Sequence, residues 1–198
     1  MPQTPPNPRH PASAHAAVLA ETRAWMQRAV IGLNLCPFAR AVQAKGLIRY
    51  VVSGARDSDA LLAALTEEMH ALVAADPART DTTLLIHPRV LGDFLDYNDF
   101  LGVADAALDA LGYRGVLQIA SFHPRYQFAG SAADDVTNAT NRSPYPTLHL
   151  LREASVERAV AAFPEPEAIS AANLLTLQTL GEAGWAALQA QCRRDARA

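Results

Sequence analysis

Apolar positions recur with two different periods along this chain, and segments of the two kinds alternate. Apolar residues spaced three or four apart are typical of helices with one buried face. They predict helices over 13–35, from Asp57 or Ser58 to Pro77, over 90–111, over 155–163 and over 167–180. Four shorter apolar runs, each bounded by turn-forming residues, predict strands over 47–52, 82–86, 116–122 and 147–151.

The alternation of strands and helices predicts a single α/β domain over 13–190, with a four-stranded, mostly parallel sheet flanked by helices. The fourth strand has no helix before it, so we expect it to pair antiparallel at an edge of the sheet. The two helices after it form an extra C-terminal pair. Residues 1–12 contain five prolines and no hydrophobic region, which predicts a disordered leader, and residues 191–198 are expected to form a flexible tail.

Two of the predicted strands end in the same tripeptide, His-Pro-Arg. His87 follows the strand at 82–86, and His123 follows the strand at 116–122. The helix between them completes a strand–helix–strand unit, and such units are almost always parallel and right-handed. Both histidines should therefore lie at the carboxyl edge of the sheet, where open α/β folds bind ligands. The pattern predicts a small-molecule site without defining a reaction.

The composition excludes several classes of function. The chain has 198 residues, of which 50% are hydrophobic and 19% charged, and its net charge is −3, which is typical of a globular protein. It has no basic stripe that would neutralise phosphates, so we expect no nucleic-acid partner. No apolar run approaches ~18 residues, so no membrane span is expected. Two cysteines, Cys36 and Cys192, are too few for a disulfide scaffold, which favours a cytoplasmic location with free thiols.

His87 and His123 are the first candidates for catalysis, because an imidazole can donate or accept a proton near neutral pH. Cys36, which precedes Pro37, is a candidate nucleophile, since a nearby imidazole can keep a thiol ionised. Each prediction has a structural alternative. Either histidine can cap its strand by hydrogen bonding to a loop carbonyl, and a free cysteine is often simply buried.

His149 alternates with Leu148 and Leu150, so it faces the opposite side of its strand from those leucines. If that side meets the edge that carries His87 and His123, the three imidazoles would form a site for zinc or iron(II). Asp96, on the helix that follows His87, is the candidate carboxylate ligand. A divalent metal is therefore open as a cofactor, and the alternatives are a buried structural histidine and a solvated aspartate.

Residues 126–146 form a segment that is long for an unstructured loop, which is typical of a lid or a binding loop. Arg142 is expected to anchor a carboxylate or phosphate there, because its guanidinium pairs with such groups through two hydrogen bonds. Tyr126, Asn141 and Ser143 are its neighbouring candidates for substrate binding. The alternative is that Arg142 ties the loop to backbone carbonyls or to a nearby aspartate.

Common catalytic and cofactor motifs are missing from the sequence. It has no Gly-x-Gly-x-x-Gly after a strand and no Gly-Lys-Ser or Gly-Lys-Thr, so no nucleotide cofactor is expected. It also lacks a Gly-x-Ser-x-Gly elbow and a His-Glu-x-x-His motif.

Several longer segments together resemble one protein family. They are IGLNLCPFA at 31–39, LLIHP at 84–88, FLDYNDF at 94–100, SFHP at 121–124 with YQFAG at 126–130, and NRSPYPTLHLLR at 141–152. The family is the bacterial domain-of-unknown-function family 1415 (DUF1415), and the resemblance covers roughly 24–180. It implies no established activity, substrate or cofactor.

Three functions remain open at this point. The first is an enzyme acting on a small anionic substrate, with His87, His123 and Cys36 as catalytic residues and Arg142 as the anchor. The second is a metal-binding protein that uses His87, His123 and His149. The third is a non-catalytic binding or scaffold module. The sequence leaves open whether the protein is an enzyme, and it does not define an oligomeric state.

Overall fold

The computed structural model of the protein describes residues 11–163 and 165–197. The helices are α1 (Pro11–Trp25), α2 (Ala39–Ala44), α3 (Ser58–Ala74), α4 (Phe94–Ala110), α5 (Glu153–Ala161) and α6 (Ala168–Asp195). The strands are β1 (Ile48–Val52), β2 (Thr82–Ile86), β3 (Leu117–Phe122) and β4 (Thr147–Arg152). A π-helical turn (Met26–Ile31) continues α1, and a 3-10 helix (Val136–Asn141) lies between β3 and β4. Helices and one sheet together confirm the α/β class.

The sheet is mixed, which corrects the prediction that it is mostly parallel. The strand order is β1-β2-β4-β3, and only the β1–β2 pair is parallel. β4 is antiparallel to its neighbours, as predicted, but it lies inside the sheet and not at an edge. It returns from β3 without a crossover helix, so it must reverse direction, and it inserts between β2 and β3. β2 and β3 consequently run in the same direction with β4 between them.

Each face of the sheet is covered by its own set of helices, because side chains alternate between the faces along each strand. On one face Leu85, Leu148 and Leu150 pack with buried residues of α3 and α4. On the other face Leu84 and Ile86 pack with buried residues of α1, the π-helical turn and α6. We call these the α3/α4 face and the α1/α6 face. Any strand residue is thereby assigned to one face by its register.

Capping residues explain where the two helices of the α3/α4 face begin. The Asp57 side chain accepts a hydrogen bond from the backbone N–H of Ala60 and starts α3. The Asp93 side chain accepts one from the N–H of Leu95 and starts α4. α4 is continuous from Phe94 to Ala110, within the helix predicted over 90–111. It ends before Gly112, whose φ of 73° is a conformation that glycine adopts readily.

The terminal helices differ from their predicted bounds. The helix predicted over 13–35 is α1 followed by the π-helical turn, and α2 forms in a segment where no helix was predicted. α6 continues to Asp195, through most of the segment 191–198 that was predicted to be a tail, with a kink at Gly181. Residues 1–10 of the predicted leader lie outside the described residues. Among the described helices, none is both long and apolar enough to cross a membrane.

Candidate functional site

His87 and His123 lie at the same edge of the sheet, on either side of one tyrosine from α4. The centroid of the Tyr97 ring is 5.8 Å from that of His87 and 5.1 Å from that of His123. The Tyr97 hydroxyl donates to the carbonyl of Thr147 (2.9 Å) and accepts from the N–H of Phe122 (3.1 Å). The tyrosine thus holds the ends of β3 and β4 together, and the predicted proximity of the two histidines follows from the shared direction of β2 and β3.

Both histidines are completely buried, and their rings bond to nearby backbone. Nε2 of His123 lies 3.2 Å from the carbonyl oxygen of Leu91, and Nδ1 accepts from the N–H of Arg125 at 3.0 Å. Nδ1 of His87 lies 3.2 Å from the carbonyl oxygen of Val90. These contacts are those of the structural alternative, in which each histidine stabilises its turn. The catalytic role of the pair stays a prediction.

One ring nitrogen of His87 is unusual. Its Nε2 is buried and has no hydrogen-bond partner among the described residues. Burial lowers the pKa of His87 to about 4, because a charged imidazole would lose its hydration there. Burial also lowers the pKa of His123. Burial thus favours the neutral form of both rings, which suits a packed aromatic cluster better than a proton-transfer pair.

Arg142 uses its guanidinium to hold the loop that carries it. Its Nε donates to the carbonyl of Tyr126 at 3.2 Å, and its Nη2 donates to the carbonyl of Ala133 at 2.6 Å. Tyr126 packs in turn against Phe94, with ring centroids 5.1 Å apart. Two of the three guanidinium nitrogens are thus bonded to backbone carbonyls. This is the alternative to anion binding that the sequence left open.

The two neighbours of Arg142 in the predicted binding set also stabilise the loop. Asn141 donates from Nδ2 to the carbonyl of Ser121 at 3.0 Å, and the Ser143 hydroxyl donates to the carbonyl of Tyr145 at 2.6 Å. Arg142 and Ser143 additionally line a cavity of about 300 Å³ between α1, α6 and this loop. An anion bound by Arg142 would lie in that cavity, and the substrate-binding role of these residues stays a prediction.

Cys36 is not part of the cluster at the sheet edge. It lies in the loop after the π-helical turn and packs on the α1/α6 face, whereas His87 and His123 project from the α3/α4 face. Burial raises the pKa of the Cys36 thiol, and backbone N–H groups of Phe38 and Ala39 oppose that rise. The expectation that one edge site combines Cys36 with both histidines is therefore wrong.

Cys36 instead lines a cavity on the α1/α6 face of the sheet, together with His149. The cavity has a volume of about 260 Å³. Its walls are largely apolar and are formed by Trp25, Met26, Val30, Phe38, Ala39, Val42, Ile48, Leu84, Ala120, Phe122, Leu151, Val156 and Ala159. Its polar lining residues are Asp81, Thr82, Gln118, His149 and Ser155, besides Cys36. We call this space the sheet cavity.

The roof of the sheet cavity includes the π-helical turn, which contributes Met26 and Val30. Single π-helical turns are rare and often occur at functional sites. Gly32 directly follows the turn, and a Cβ at this position would lie 2.2 Å from the carbonyl oxygen of Arg28. The local sequence thus permits a close backbone approach that any larger residue would prevent.

His149 projects into the sheet cavity from β4. Its Nε2 lies 2.5 Å from the Thr82 hydroxyl oxygen on β2, and that hydroxyl donates to the carbonyl of Leu150 at 2.6 Å. Burial lowers the pKa of His149 to about 4. The side chain nevertheless keeps part of its surface accessible, since it forms part of the cavity wall.

The proposed convergence of three histidines on a metal does not occur. His149 faces the α1/α6 side, opposite to His87 and His123, because it is in register with Leu84 and Ala120 and alternates with Leu148. Asp96 is exposed on α4. Within residues 11–163 and 165–197, no group of three or more histidine, cysteine, aspartate or glutamate side chains is arranged to hold a metal ion.

The sequence identified Cys36 and His149 but did not bring them together, and it did not single out Thr82 or the π-helical turn. The alternation of His149 with two leucines placed it on the correct side of its strand. Neither the insertion of β4 next to β2 nor the packing of the π-helical turn over that face has a local sequence signal.

Comparison with known proteins gives one match. The family model described as "Protein of unknown function (DUF1415)" matches residues 17–187, which include all four strands and the lining of the sheet cavity. No curated protein and no solved structure matches the chain significantly. Because the family model covers most of the chain, this protein belongs to the DUF1415 family.

Proposed function

We propose that the protein binds a small, predominantly apolar molecule in the sheet cavity. The observation that carries this proposal is the cavity itself, a space of about 260 Å³ bounded by apolar side chains, with His149 among its few polar groups. Ligand sites are typically concave and mostly apolar, with a few polar groups that orient the ligand. The sheet cavity has these properties, and the histidine cluster at the sheet edge does not.

The size of the cavity limits the ligand. At about 30 Å³ per water molecule in the liquid, 260 Å³ corresponds to the space of roughly nine waters. A single ring with a short substituent fits this space, and a nucleotide or a peptide does not. Burying about 150 Å² of apolar ligand surface contributes roughly 4 kcal/mol, which alone gives a Kd of about 1 mM. Natural ligands that add polar contacts would bind more tightly.

The chemistry of Cys36 favours reversible binding over covalent catalysis in this cavity. Burial raises the pKa of its thiol, so the thiolate that acts as a nucleophile is scarce. His149 has a pKa of about 4 and is already engaged by Thr82. Cys36 and His149 thus contribute a neutral thiol and a neutral imidazole to the wall.

Binding can be tested by NMR titration of the isotope-labelled protein with a small aromatic probe such as phenol. We expect saturable shifts confined to residues of the sheet cavity, with Kd values at or below about 1 mM. Ala159→Leu, on α5, adds volume to the cavity wall and should weaken binding at least tenfold. Ala106→Leu is the matched control, because it makes the same change at an exposed position of α4.

Unchanged affinity in Ala159→Leu would place the probe elsewhere and contradict the proposal, as would shifts centred on His87 and His123. A loss of binding in both variants would indicate an effect on folding, so circular dichroism of each variant accompanies the titration.

A further inference from the structure

We infer that the ligand of the sheet cavity is a neutral molecule that donates a hydrogen bond, through an O–H or N–H group, to Nδ1 of His149. This inference rests on the proposed function and names the chemical class of the ligand. It follows from the positions of three protons at the floor of the cavity, where His149, Thr82 and the backbone of β4 meet.

The first proton belongs to the Thr82 hydroxyl, which has two close neighbours. Its oxygen lies 2.6 Å from the carbonyl oxygen of Leu150 and 2.5 Å from Nε2 of His149. A carbonyl oxygen cannot donate, and two oxygens at this distance without a proton between them repel each other. The single hydroxyl proton of Thr82 must therefore point at Leu150.

The second proton follows from the first. Because the Thr82 hydroxyl donates its one hydrogen bond to the carbonyl oxygen of Leu150, its oxygen can only accept a hydrogen bond from His149. Nε2 of His149 must then carry a proton. In a neutral imidazole the other nitrogen is an acceptor, so Nδ1 presents a lone pair. The ring is neutral because charge is disfavoured at this depth, which holds its pKa at about 4. The Thr82 hydroxyl thus fixes the tautomer of His149.

The third proton has to come from the ligand. Nδ1 of His149 has no hydrogen-bond partner among the described residues, and the side chain is partly accessible in the cavity wall. A lone pair in an apolar cavity is best satisfied by a donor. A carboxylate or phosphate would instead place negative charge against that lone pair.

The charges around the cavity support the same class of ligand. No lysine or arginine lines it among the described residues, so an anion would have no counter-charge. The carboxylate that does line it, Asp81, already accepts a hydrogen bond from the Ser155 hydroxyl at 2.5 Å. A neutral alcohol, phenol or N–H heterocycle fits both the apolar walls and the lone pair on Nδ1 of His149.

The test compares two probes of nearly equal size, phenol and fluorobenzene, which differ in the ability to donate a hydrogen bond. Their affinities are measured by NMR in the wild-type protein and in His149→Phe, which removes the acceptor and keeps an apolar ring. Because the comparison is a double difference, the unequal hydration of the two probes cancels. We expect the preference for phenol over fluorobenzene to fall about tenfold in His149→Phe.

A second measurement uses the wild-type protein without any ligand. The ¹⁵N shifts of the His149 ring report which nitrogen carries the proton, and we expect the proton on Nε2. Addition of phenol should shift the Nδ1 signal, and benzoate should leave it unchanged. Thr82→Val removes the acceptor for Nε2 and should allow the second tautomer to form.

The outcomes separate this inference from the proposed function. Three results would each overturn the inference while leaving a ligand in the cavity. They are an undiminished preference for phenol over fluorobenzene in His149→Phe, a proton on Nδ1 of His149 in the ligand-free protein, and tighter binding of benzoate than of phenol. If neither phenol nor fluorobenzene shifts any residue of the sheet cavity, the proposed function is contradicted and the inference falls with it.

Discussion

Acidification should destabilise this protein through buried imidazoles, and His87 allows the effect to be measured at one residue. Its ring is fully buried against Tyr97, and its pKa is lowered from 6.5 to about 4. Between pH 7 and pH 5 the unfolded chain takes up a proton at this residue while the folded protein does not. Because the unfolded state binds more protons, stability falls as the pH falls.

The magnitude follows from the two pKa values. At pH 5 a residue with a pKa of 6.5 in the unfolded state and about 4 in the folded state costs about 2 kcal/mol of stability. Below pH 4 the cost approaches about 3 kcal/mol. The stabilisation that depends on a neutral His87 ring is fully present above pH 6.5, and it is lost as the pH falls through about 4. His149, with a pKa also lowered to about 4, adds a similar cost.

The variant His87→Asn isolates one part of this effect. Asparagine retains an N–H donor near the position of Nδ1, which can still bond to Val90, and it does not titrate. Urea unfolding followed by circular dichroism at pH 7 and pH 5 gives the free energy of unfolding at each pH. We expect the difference between the two pH values to shrink by about 2 kcal/mol in the variant.

His70→Asn is the matched control, because it removes an imidazole from an exposed position. An equal loss of stability between pH 7 and pH 5 in His87→Asn and in the wild-type protein would contradict this expectation. That result would mean that His87 is protonated in the folded protein, and the cluster at the sheet edge would then need a partner for its charge.

Three further substitutions test packing, each by urea unfolding. Tyr97→Phe removes a hydroxyl that bonds to backbone of both β3 and β4, and it should cost about 2 kcal/mol because buried polar groups lose their partner. Gly32→Ala places a Cβ 2.2 Å from the carbonyl oxygen of Arg28, so it should destabilise the protein by about 1–3 kcal/mol and weaken probe binding in the sheet cavity. Arg152→Met removes the donor to three carbonyls at and after the end of α3 and should cost about 2 kcal/mol. A change in the free energy of unfolding below about 0.5 kcal/mol in any of these three variants would contradict the contacts assigned to that residue.

The elements with a strong local signal were predictable from the sequence. The strand, helix and strand around His87 and His123 were predicted, and so was the shared edge of the two histidines, because the two strands of such a unit almost always run parallel. The start of α3 was predicted at Asp57 or Ser58, and Asp57 is the cap, since a side-chain acceptor is a local requirement of a helix terminus. These features depend on short-range chemistry.

Features that depend on tertiary packing were not predictable. β4 lies between β2 and β3 because its two faces complete both apolar cores, and nothing within 147–152 specifies the pair of neighbours. The π-helical turn lies within a regular apolar stripe, so the sequence predicted an ordinary helix there. The meeting of Cys36 and His149 in one cavity requires both of these features, which is why a site at the sheet edge was predicted instead.

A crystal structure of the protein soaked with phenol would show directly whether the sheet cavity holds a small neutral ligand. We expect electron density for the ring among Met26, Leu84 and Phe122, with the phenol hydroxyl within hydrogen-bonding distance of Nδ1 of His149. Density for phenol only outside the sheet cavity, or an empty cavity at a phenol concentration well above the Kd measured in solution, would contradict this expectation.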